Sequence, residues 1–291
     1  MEFLSNLISG LSLGAIYALI ALGYTMVYGI AKMLNFAHGD VIMIGAFTVL
    51  ATVATAGFPW YIGIIASVIV CTVLGVTIEK IAYKPLRKAN PLSVLITAIG
   101  VSYFLQSVAL LIFGSGKQSF PTVIKANPIK LGSLIIQGNS VVTLIITTII
   151  MVVLTLFINK TRLGKAMRAV SEDKDAAELM GISVNRTISL TFAIGSALAA
   201  VAGIFYGSTY GFVDPYAGAM PGIKAFVAAV FGGIGSIPGA MLGGILLGII
   251  ENLSKAYIST DLADAIVFGV LIVVLIVKPT GLLGKKIREK V

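Results

Sequence analysis

Charged side chains are scarce in this sequence: Asp, Glu, Lys and Arg make up 11% of its 291 residues. Ordinary soluble domains carry roughly 25%. Hydrophobic residues make up 58%, and no polar segment is long enough to enclose a core of its own. The composition therefore excludes a soluble globular protein and predicts a polytopic membrane protein.

Cysteine and histidine each occur only once. Cys71 stands alone in an apolar run, which excludes an internal disulfide and a cysteine metal cluster, and we interpret it as a small core residue. His38 has no second ligand at a workable spacing, so no metal site and no cofactor are predicted. The first basic residue is Lys32, so the chain lacks the basic start of a cleaved signal peptide, and we expect the first span to be retained.

Apolar runs of membrane-spanning length, about 20 residues, recur along the whole chain. We predict spans at 7–30, 36–56, 60–79, 92–113, 140–158, 188–207 and 262–277, with a glycine-rich stretch at 222–251. The predicted fold class is all-α: a polytopic membrane protein of about eight transmembrane helices plus a broken or re-entrant helical stretch. We expect residues 1–291 to form one transmembrane domain.

The net charge of +9 would suggest nucleic-acid binding in a soluble protein, but here the basic residues lie in loops beside spans. That pattern indicates membrane orientation, and no nucleic acid is expected as a partner. The basic segments 80–88, 161–186 and 278–290 are predicted to be cytosolic. Counting spans then places the N-terminus and the segment 114–139 outside.

The stretch 222–251 does not fit a single crossing. As one helix it would be about 45 Å long, whereas the hydrocarbon core is about 30 Å thick. A cytosolic C-terminus also requires this stretch to leave and return on the same side. The poorest helix-forming segment of this stretch predicts a break in the helix. Non-helical backbone at membrane depth must line a cavity or be covered by protein, so we expect this segment to line the substrate path. Its residues are Gly232, Gly233, Gly235, Ser236 and Pro238. Close helix packing is the alternative, because Gly239 with Gly243 and Gly244 with Gly248 have small-residue spacing.

A second irregular place lies between the first two spans. Asn35, His38, Gly39 and Asp40 adjoin apolar sequence, and ionisable residues entering a span usually face the bundle interior or water. We therefore assign these four residues to the substrate path as well. The alternative for Asp40 is a charge that opposes the dipole at a helix start. Lys224 and Glu251 are interpreted as snorkelling at the membrane surface.

The segment 161–186 is the one long stretch that carries both signs of charge. Asp173 is suited to cap a short helix from Lys174 to Met180, and Gly181 to end it in a left-handed conformation. Apolar residues at helical spacing would form one exposed face, from Met167 and Val170 to the residues of the short helix. This face would lie either on the protein's own spans or on a soluble partner.

No catalytic set is apparent in the sequence. The segment 114–119 resembles the end of a phosphate-binding loop, but Leu111 replaces the leading Gly and Gln118 the Ser or Thr that binds the metal. No nucleophile, base and orienting group occur together. We therefore expect neither an enzyme nor an ATPase site in this chain.

A motif in the polar segment resembles the coupling motif of bacterial ABC importer permeases: Asp175-Ala176-Ala177, three residues, then Gly181. Asp175 replaces the usual Glu of this motif, and the apolar residue and Pro that end its longer form are missing. Other segments, among them Asn35 to Gly39 and Gly232 to Ala240, are similar to those of branched-chain amino acid permeases of the LivH type. These similarities run from the first span to the last.

The resemblance implies a permease subunit of an importer for branched-chain or related amino acids in the bacterial cytoplasmic membrane. Its implied partners are a second homologous permease, two cytosolic ABC ATPases and an extracytoplasmic amino-acid binding protein, besides membrane lipids. The implied ATPase coupling residues are Arg168, Asp175, Ala176, Ala177, Leu179, Met180 and Gly181. Two alternatives remain: a self-sufficient secondary transporter or channel, since broken helices would suit it, and a urea or amide permease within the family.

Overall fold

The structure is a computed structural model and describes residues 2–87, 89–131 and 134–284. Of the predicted cytosolic segments, Lys88 and residues 285–290 lie outside the described residues. The described helices are α1 (Glu2–Ala31), α2 (His38–Val49), α3 (Trp60–Ile78), α4 (Pro91–Phe113), α5 (Gly138–Lys160), α6 (Arg162–Glu172), α7 (Lys174–Leu179), α8 (Val184–Tyr210), α9 (Ala219–Gly232), α10 (Ile237–Tyr257) and α11 (Ala263–Val277).

Within the described ranges, seven helical segments are long and apolar enough to cross a membrane, and α9 and α11 are shorter apolar helices. Two of the long segments change pitch at their ends. A π-helical turn, Leu50–Thr55, extends α2, and another, Glu79–Tyr83, extends α3 before a short 3-10 turn at Lys84–Leu86. The predicted all-α polytopic fold is confirmed, with boundaries shifted by a few residues.

The segment between α4 and α5 contains short strands that the sequence did not predict. Strand β1 (Gln118–Ser119) pairs antiparallel with β4 (Phe212–Val213), which follows α8. Strands β2 (Ile129–Leu131) and β3 (Leu134–Ile136) pair with each other. Phe120 and Val123 are buried in one hydrophobic cluster with Phe47 of α2, so this connection packs onto the helical bundle.

Helix α1 lies at the centre of the bundle, and nearly all its residues from Gly10 onward are buried. A helix that is apolar on every side is suited to such a position. Its largest contact is with α10, antiparallel to it. A Cβ atom built on Gly248 would lie 2.1 Å from the Gly14 nitrogen, and one on Gly244 would lie 2.4 Å from the Ala18 Cα. The glycines thus permit the two backbones to touch.

The stretch 222–251 forms two helices, α9 and α10, as the break predicted. They run antiparallel, because Gly243 adjoins Ala228 while Gly239 adjoins Gly232. Both pairs of glycines predicted to support close packing therefore do so, one pair against α9 and the other against α1. Helix α10 has the length of a full span, whereas α9, with 14 residues, extends about 21 Å.

The segment 161–186 contains two helices, where one was predicted. The first, α6, is capped by the Thr161 hydroxyl, which accepts a hydrogen bond from the Gly164 N–H at 3.0 Å. The second, α7, is capped by Asp173 as predicted, since its carboxylate accepts from the N–H groups of Asp175 and Ala176, each at 3.0 Å. Gly181 follows with φ +80°, the left-handed ending that the sequence predicted.

Candidate functional site

The segment 35–40 is buried in the interior of the bundle. Lys32 takes a left-handed conformation, with φ 58°, directly after α1, and the chain turns back so that α2 starts beside Gly23 and Tyr24 of α1. The Tyr83 hydroxyl donates to Asn35 Oδ1 at 2.9 Å. The exposed fractions of His38 and Asp40 are each 1%.

His38 packs against α1 without a hydrogen-bond partner for its Nε2 atom among the described residues. Its ring meets the edge of Tyr24 at a centroid distance of 4.8 Å. A Cβ atom on Gly23 would come within 2.3 Å of Nε2, so the glycine leaves the space that the imidazole fills. This contact gives His38 a packing role beneath the start of α2.

Asp40 lies on the wall of a cavity of about 260 Å³ between α1, α2, α4 and α9. Its carboxylate accepts a hydrogen bond from Gln106 Nε2 at 2.9 Å, and Gln106 also reaches the Ser102 hydroxyl at 3.3 Å. Tyr24, Gly39 and Gly222 complete the inner wall. Asp40 thus lies in the first turn of α2, where a negative charge opposes the helix dipole, and it also lines this cavity. Its place in the substrate path stays a prediction.

Sequence reasoning missed four residues of this cavity that carry polar groups, Tyr24, Ser102, Tyr103 and Gln106. One signal was available: Ser102 and Gln106 lie four positions apart in the otherwise apolar α4. That spacing puts both side chains on one helix face, where polar groups within a span usually face the bundle interior.

The predicted break residues lie elsewhere, beside the C-terminal end of α1. Gly235 lies close to Gly29, because a Cβ atom built on Gly29 would be 3.5 Å from the Gly235 Cα. The Ser236 hydroxyl caps α10 by accepting from Gly239 N–H at 3.2 Å, and Pro238 lies in the first turn of α10.

The segment after α11 covers the same break. The Leu282 and Leu283 N–H groups donate to the carbonyl oxygens of Phe231 and Gly232 at 2.9 and 2.8 Å, and Gly233, with φ +109°, adjoins Gly284. The two irregular segments therefore do not share one cavity. The Asp40 cavity is lined by the N-terminal end of α9, whereas the break follows its C-terminal end.

The snorkelling interpretation of Lys224 and Glu251 is wrong. Their side chains are 7% and 0% exposed and form an ion pair at 2.8 Å. Glu251 also accepts from the Tyr17 hydroxyl at 2.9 Å and from Lys255 at 2.6 Å, and Lys224 pairs with Asp264 at 2.6 Å. Burying a charge without a partner is costly. These groups can lie in the interior because their opposite charges compensate one another.

The apolar face predicted for the segment 161–186 is divided by the fold. Met167, Val170 and Ala177 are buried against the protein itself, whereas Leu179 and Met180 are 89% and 82% exposed. The buried part of the face thus packs on the protein itself, and docking of a soluble partner on the exposed part stays a prediction. Of the other implied coupling residues, Asp175, Ala176 and Gly181 are exposed, as is Arg168, which donates to the Asn159 carbonyl at 3.3 Å.

Helix α7 is tied directly to α1. Lys174 Nζ donates to the carbonyl oxygen of Ala31, the last residue of α1, at 3.0 Å. Burial lowers the pKa of Lys174, and the nearby charges of Arg87 and Lys32 lower it further. Ala31 directly precedes Lys32, where the turn to segment 35–40 begins. Helix α7 therefore contacts the chain a few residues before Asp40, which lines the cavity.

Residues 6–275 match the model of the family described as branched-chain amino acid transport system / permease component. The chain belongs to this family. It is 46% identical over 303 residues to the high-affinity branched-chain amino acid transport system permease protein LivH of Escherichia coli (strain K12), covering 100% of this chain and 98% of that protein. The corresponding permease protein BraD of Pseudomonas aeruginosa is 46% identical over 302 residues, with the same coverage.

A more distant relative of this permease is the probable branched-chain amino acid transport permease protein LivH of Methanocaldococcus jannaschii, 28% identical over 282 residues. Among solved structures, PsaBC from Streptococcus pneumoniae in complex with Fab is similar, with a TM-score of 0.51, 13% identity and coverage of 96% of this permease and 93% of that chain. At that identity the likeness shows the fold alone.

Proposed function

We propose that the chain is the membrane-spanning permease subunit of an ATP-driven importer for branched-chain amino acids, placed in the bacterial cytoplasmic membrane. Its partners are two cytosolic ABC ATPases, a second homologous permease and an extracytoplasmic amino-acid binding protein. The substrate class named for the E. coli and P. aeruginosa relatives, which are 46% identical over 98% of their length, supports the choice of substrate.

The observation that carries the ATPase partnership is the surface of α7. Leu179 and Met180 are almost fully exposed at the end of a helix that is capped, tied to α1 through Lys174 and packed through Ala177. Burying each of these side chains in a partner would contribute about 1.5–3 kcal/mol. A rigidly held apolar projection in a polar loop is suited to receive force from a separate subunit.

The large lateral surfaces support the remaining membrane partners. In the most apolar parts of α3, α4 and α5, only 28%, 22% and 28% of the residues are buried within the chain. Apolar surface of this extent needs lipid or another membrane subunit against it. We assign one of these faces to the second permease and the rest to membrane lipids.

Reconstitution into proteoliposomes tests the proposal. The permease together with its ATPase, second-permease and binding-protein partners is expected to accumulate L-leucine, L-isoleucine or L-valine only when ATP is supplied on the ATPase side. Uptake by this chain alone without ATP would establish the secondary transporter or channel instead. Preference for urea over all three amino acids would establish the amide permease.

A further inference from the structure

We propose that the cavity between α1, α2, α4 and α9 binds the transported amino acid, and that the Asp40 carboxylate receives its ammonium group. The inference rests on the proposed function and adds a binding site and a role for one residue. The ligand class is a primary ammonium ion carrying a branched aliphatic group.

The charge on Asp40 is the first argument. Three carboxylates are buried among the described residues: Asp40, Glu79 and Glu251. Glu79 pairs with Arg87, and Glu251 pairs with Lys224 and Lys255. Within the same described ranges, Asp40 forms no ion pair, and its side-chain partners are neutral: the amide of Gln106 and the hydroxyl of Ser102. A buried carboxylate is costly to keep charged without a cation nearby, and a substrate ammonium supplies that cation.

The position of the carboxylate is the second argument. Asp40 lines a cavity, which gives a ligand space beside the carboxylate. Gln106 Nε2 holds Oδ1 at 2.9 Å and is itself within 3.3 Å of the Ser102 hydroxyl. These contacts fix the orientation of the carboxylate while leaving it without a positive partner.

The size and walls of the cavity are the third argument. Its volume of about 260 Å³ is near the lower end of ligand pockets, about 300 Å³, and fits a small ligand. Phe36, Ile99 and Ile223 supply apolar walls suited to a branched aliphatic side chain. The site thus joins one anionic group to apolar surface, the chemistry that recognises an aliphatic ammonium ion.

A cysteine reporter tests the site independently of transport. In the assembled transporter in lipid nanodiscs, with Cys71→Ala removing the native thiol, Ser102→Cys places a reactive group on the cavity wall. We expect L-leucine and 3-methylbutylamine, which carry the ammonium, to slow its modification by a small thiol reagent. The acid 4-methylpentanoate, which lacks the ammonium, should give no protection. Protection by the acid equal to that by the amine would overturn the inference, as would a reagent that never reaches this cysteine.

Variants of Asp40 identify the carboxylate as the binding group. Adding Asp40→Asn is expected to raise the concentration of 3-methylbutylamine needed for half-maximal protection by about tenfold or more, the loss expected for a hydrogen bond to a charged group. Asp40→Glu should keep protection, and Asp261→Asn, the same change at an exposed carboxylate, should leave it at the parental level. Undiminished protection in Asp40→Asn would overturn the inference. Should Asp40→Asn fail to assemble, the comparison of the three ligands in the reporter alone still decides.

Uptake measurements separate this inference from the proposed function. If the parent transporter carries L-leucine with ATP and Asp40→Asn carries it with the parental KM, the binding role of Asp40 fails while the importer stands. If the parent carries no branched-chain amino acid, the proposed function fails. The thiol modification of Ser102→Cys then still tests whether the cavity binds an ammonium group. We expect Asp40→Asn to raise KM about tenfold while its association with the ATPases remains parental.

Discussion

Glu251 shows what individual side chains contribute to this fold. Its carboxylate, fully buried, accepts from Tyr17, Lys224 and Lys255 at 2.9, 2.8 and 2.6 Å. Lys224 in turn pairs with Asp264. Because these residues belong to α1, α9, α10 and α11, one ionic cluster connects four helices around a charge that would be costly to bury alone.

We predict that Glu251→Gln destabilises the protein. The substitution keeps the size of the side chain but removes the charge that compensates Lys224 and Lys255. Breaking a buried ion pair costs about 3–5 kcal/mol, and because Lys224 retains Asp264 at 2.6 Å, we expect about 3 kcal/mol, the lower end of that range. The measurement is thermal unfolding of the purified protein in detergent, where the midpoint should fall clearly.

Lys255→Met is the matched control. This lysine contacts the same carboxylate, but its side chain is 31% exposed, and ion pairs open to solvent are worth about 1 kcal/mol or less. The midpoint should therefore change little. An equal loss in both variants, or none in Glu251→Gln, would show that the cluster does not stabilise the helix contacts as argued.

At the scale of single elements, α7 combines two surfaces. Ala177 is 4% exposed and packs within the protein, while Leu179 and Met180 project away from it. A bulky residue at Ala177 would disturb this internal packing, so it would not test docking alone. The exposed pair gives the cleaner test.

We predict that Leu179→Asp weakens ATPase association without affecting insertion of the permease. The side chain is 89% exposed, so the charge costs little in the free permease, whereas in an apolar groove it would be buried without a partner. Co-purification of the ATPases and substrate-stimulated ATP hydrolysis are the measurements, and both should fall at least about tenfold, as a loss near 1.4 kcal/mol gives.

The control applies the same substitution at the opposite end of the molecule. Leu262, 53% exposed before α11, can be changed to Asp at a position that ATPases docked on α7 would not contact. This variant should keep ATPase binding. Parental association and coupled hydrolysis in Leu179→Asp would leave α7 as a surface feature with no docking role.

For the whole molecule, contacts between distant segments divide the bundle into two ends. At one end, Lys174 reaches the last carbonyl of α1, and the segment after α11 pairs with the end of α9. At the other, Asn252 Nδ2 donates to the Asn6 carbonyl at 2.6 Å, and Phe3 contacts Tyr257. The segment 161–186 and the C-terminal segment thus lie opposite the start of α1, as the charge distribution predicted.

We predict that the end carrying the segment 161–186 is cytosolic. With Cys71→Ala as background, Ser171→Cys should react with a membrane-impermeant thiol reagent only from the cytosolic face. Ser115→Cys, between α4 and α5, should react only from outside. Right-side-out and inverted vesicles provide the measurement, and modification of Ser171→Cys from outside alone would reverse the orientation.

Features that depend on composition and local geometry could be predicted from the sequence. Length and apolarity predicted the spans, because about 20 apolar residues are required to cross a bilayer. The residues from Gly232 to Pro238 predicted a break, since glycine and proline disfavour a continuous helix. Asp173 and Gly181 predicted both ends of α7, because a cap bonds to backbone groups only two or three positions away.

The contacts between distant side chains could not be predicted in this way, because they depend on how the helices pack. Tyr17 and Glu251, which are 234 positions apart in the chain, and Asp40 and Gln106, which are 66 apart, are brought together by helix packing and not by any local pattern. For the same reason the sequence misjudged Lys224 and Glu251 as surface groups and did not separate the buried Ala177 from the exposed Leu179. Whether a charge is paired, buried or facing a cavity depends on the neighbouring helices, and those contacts are made only when the bundle assembles.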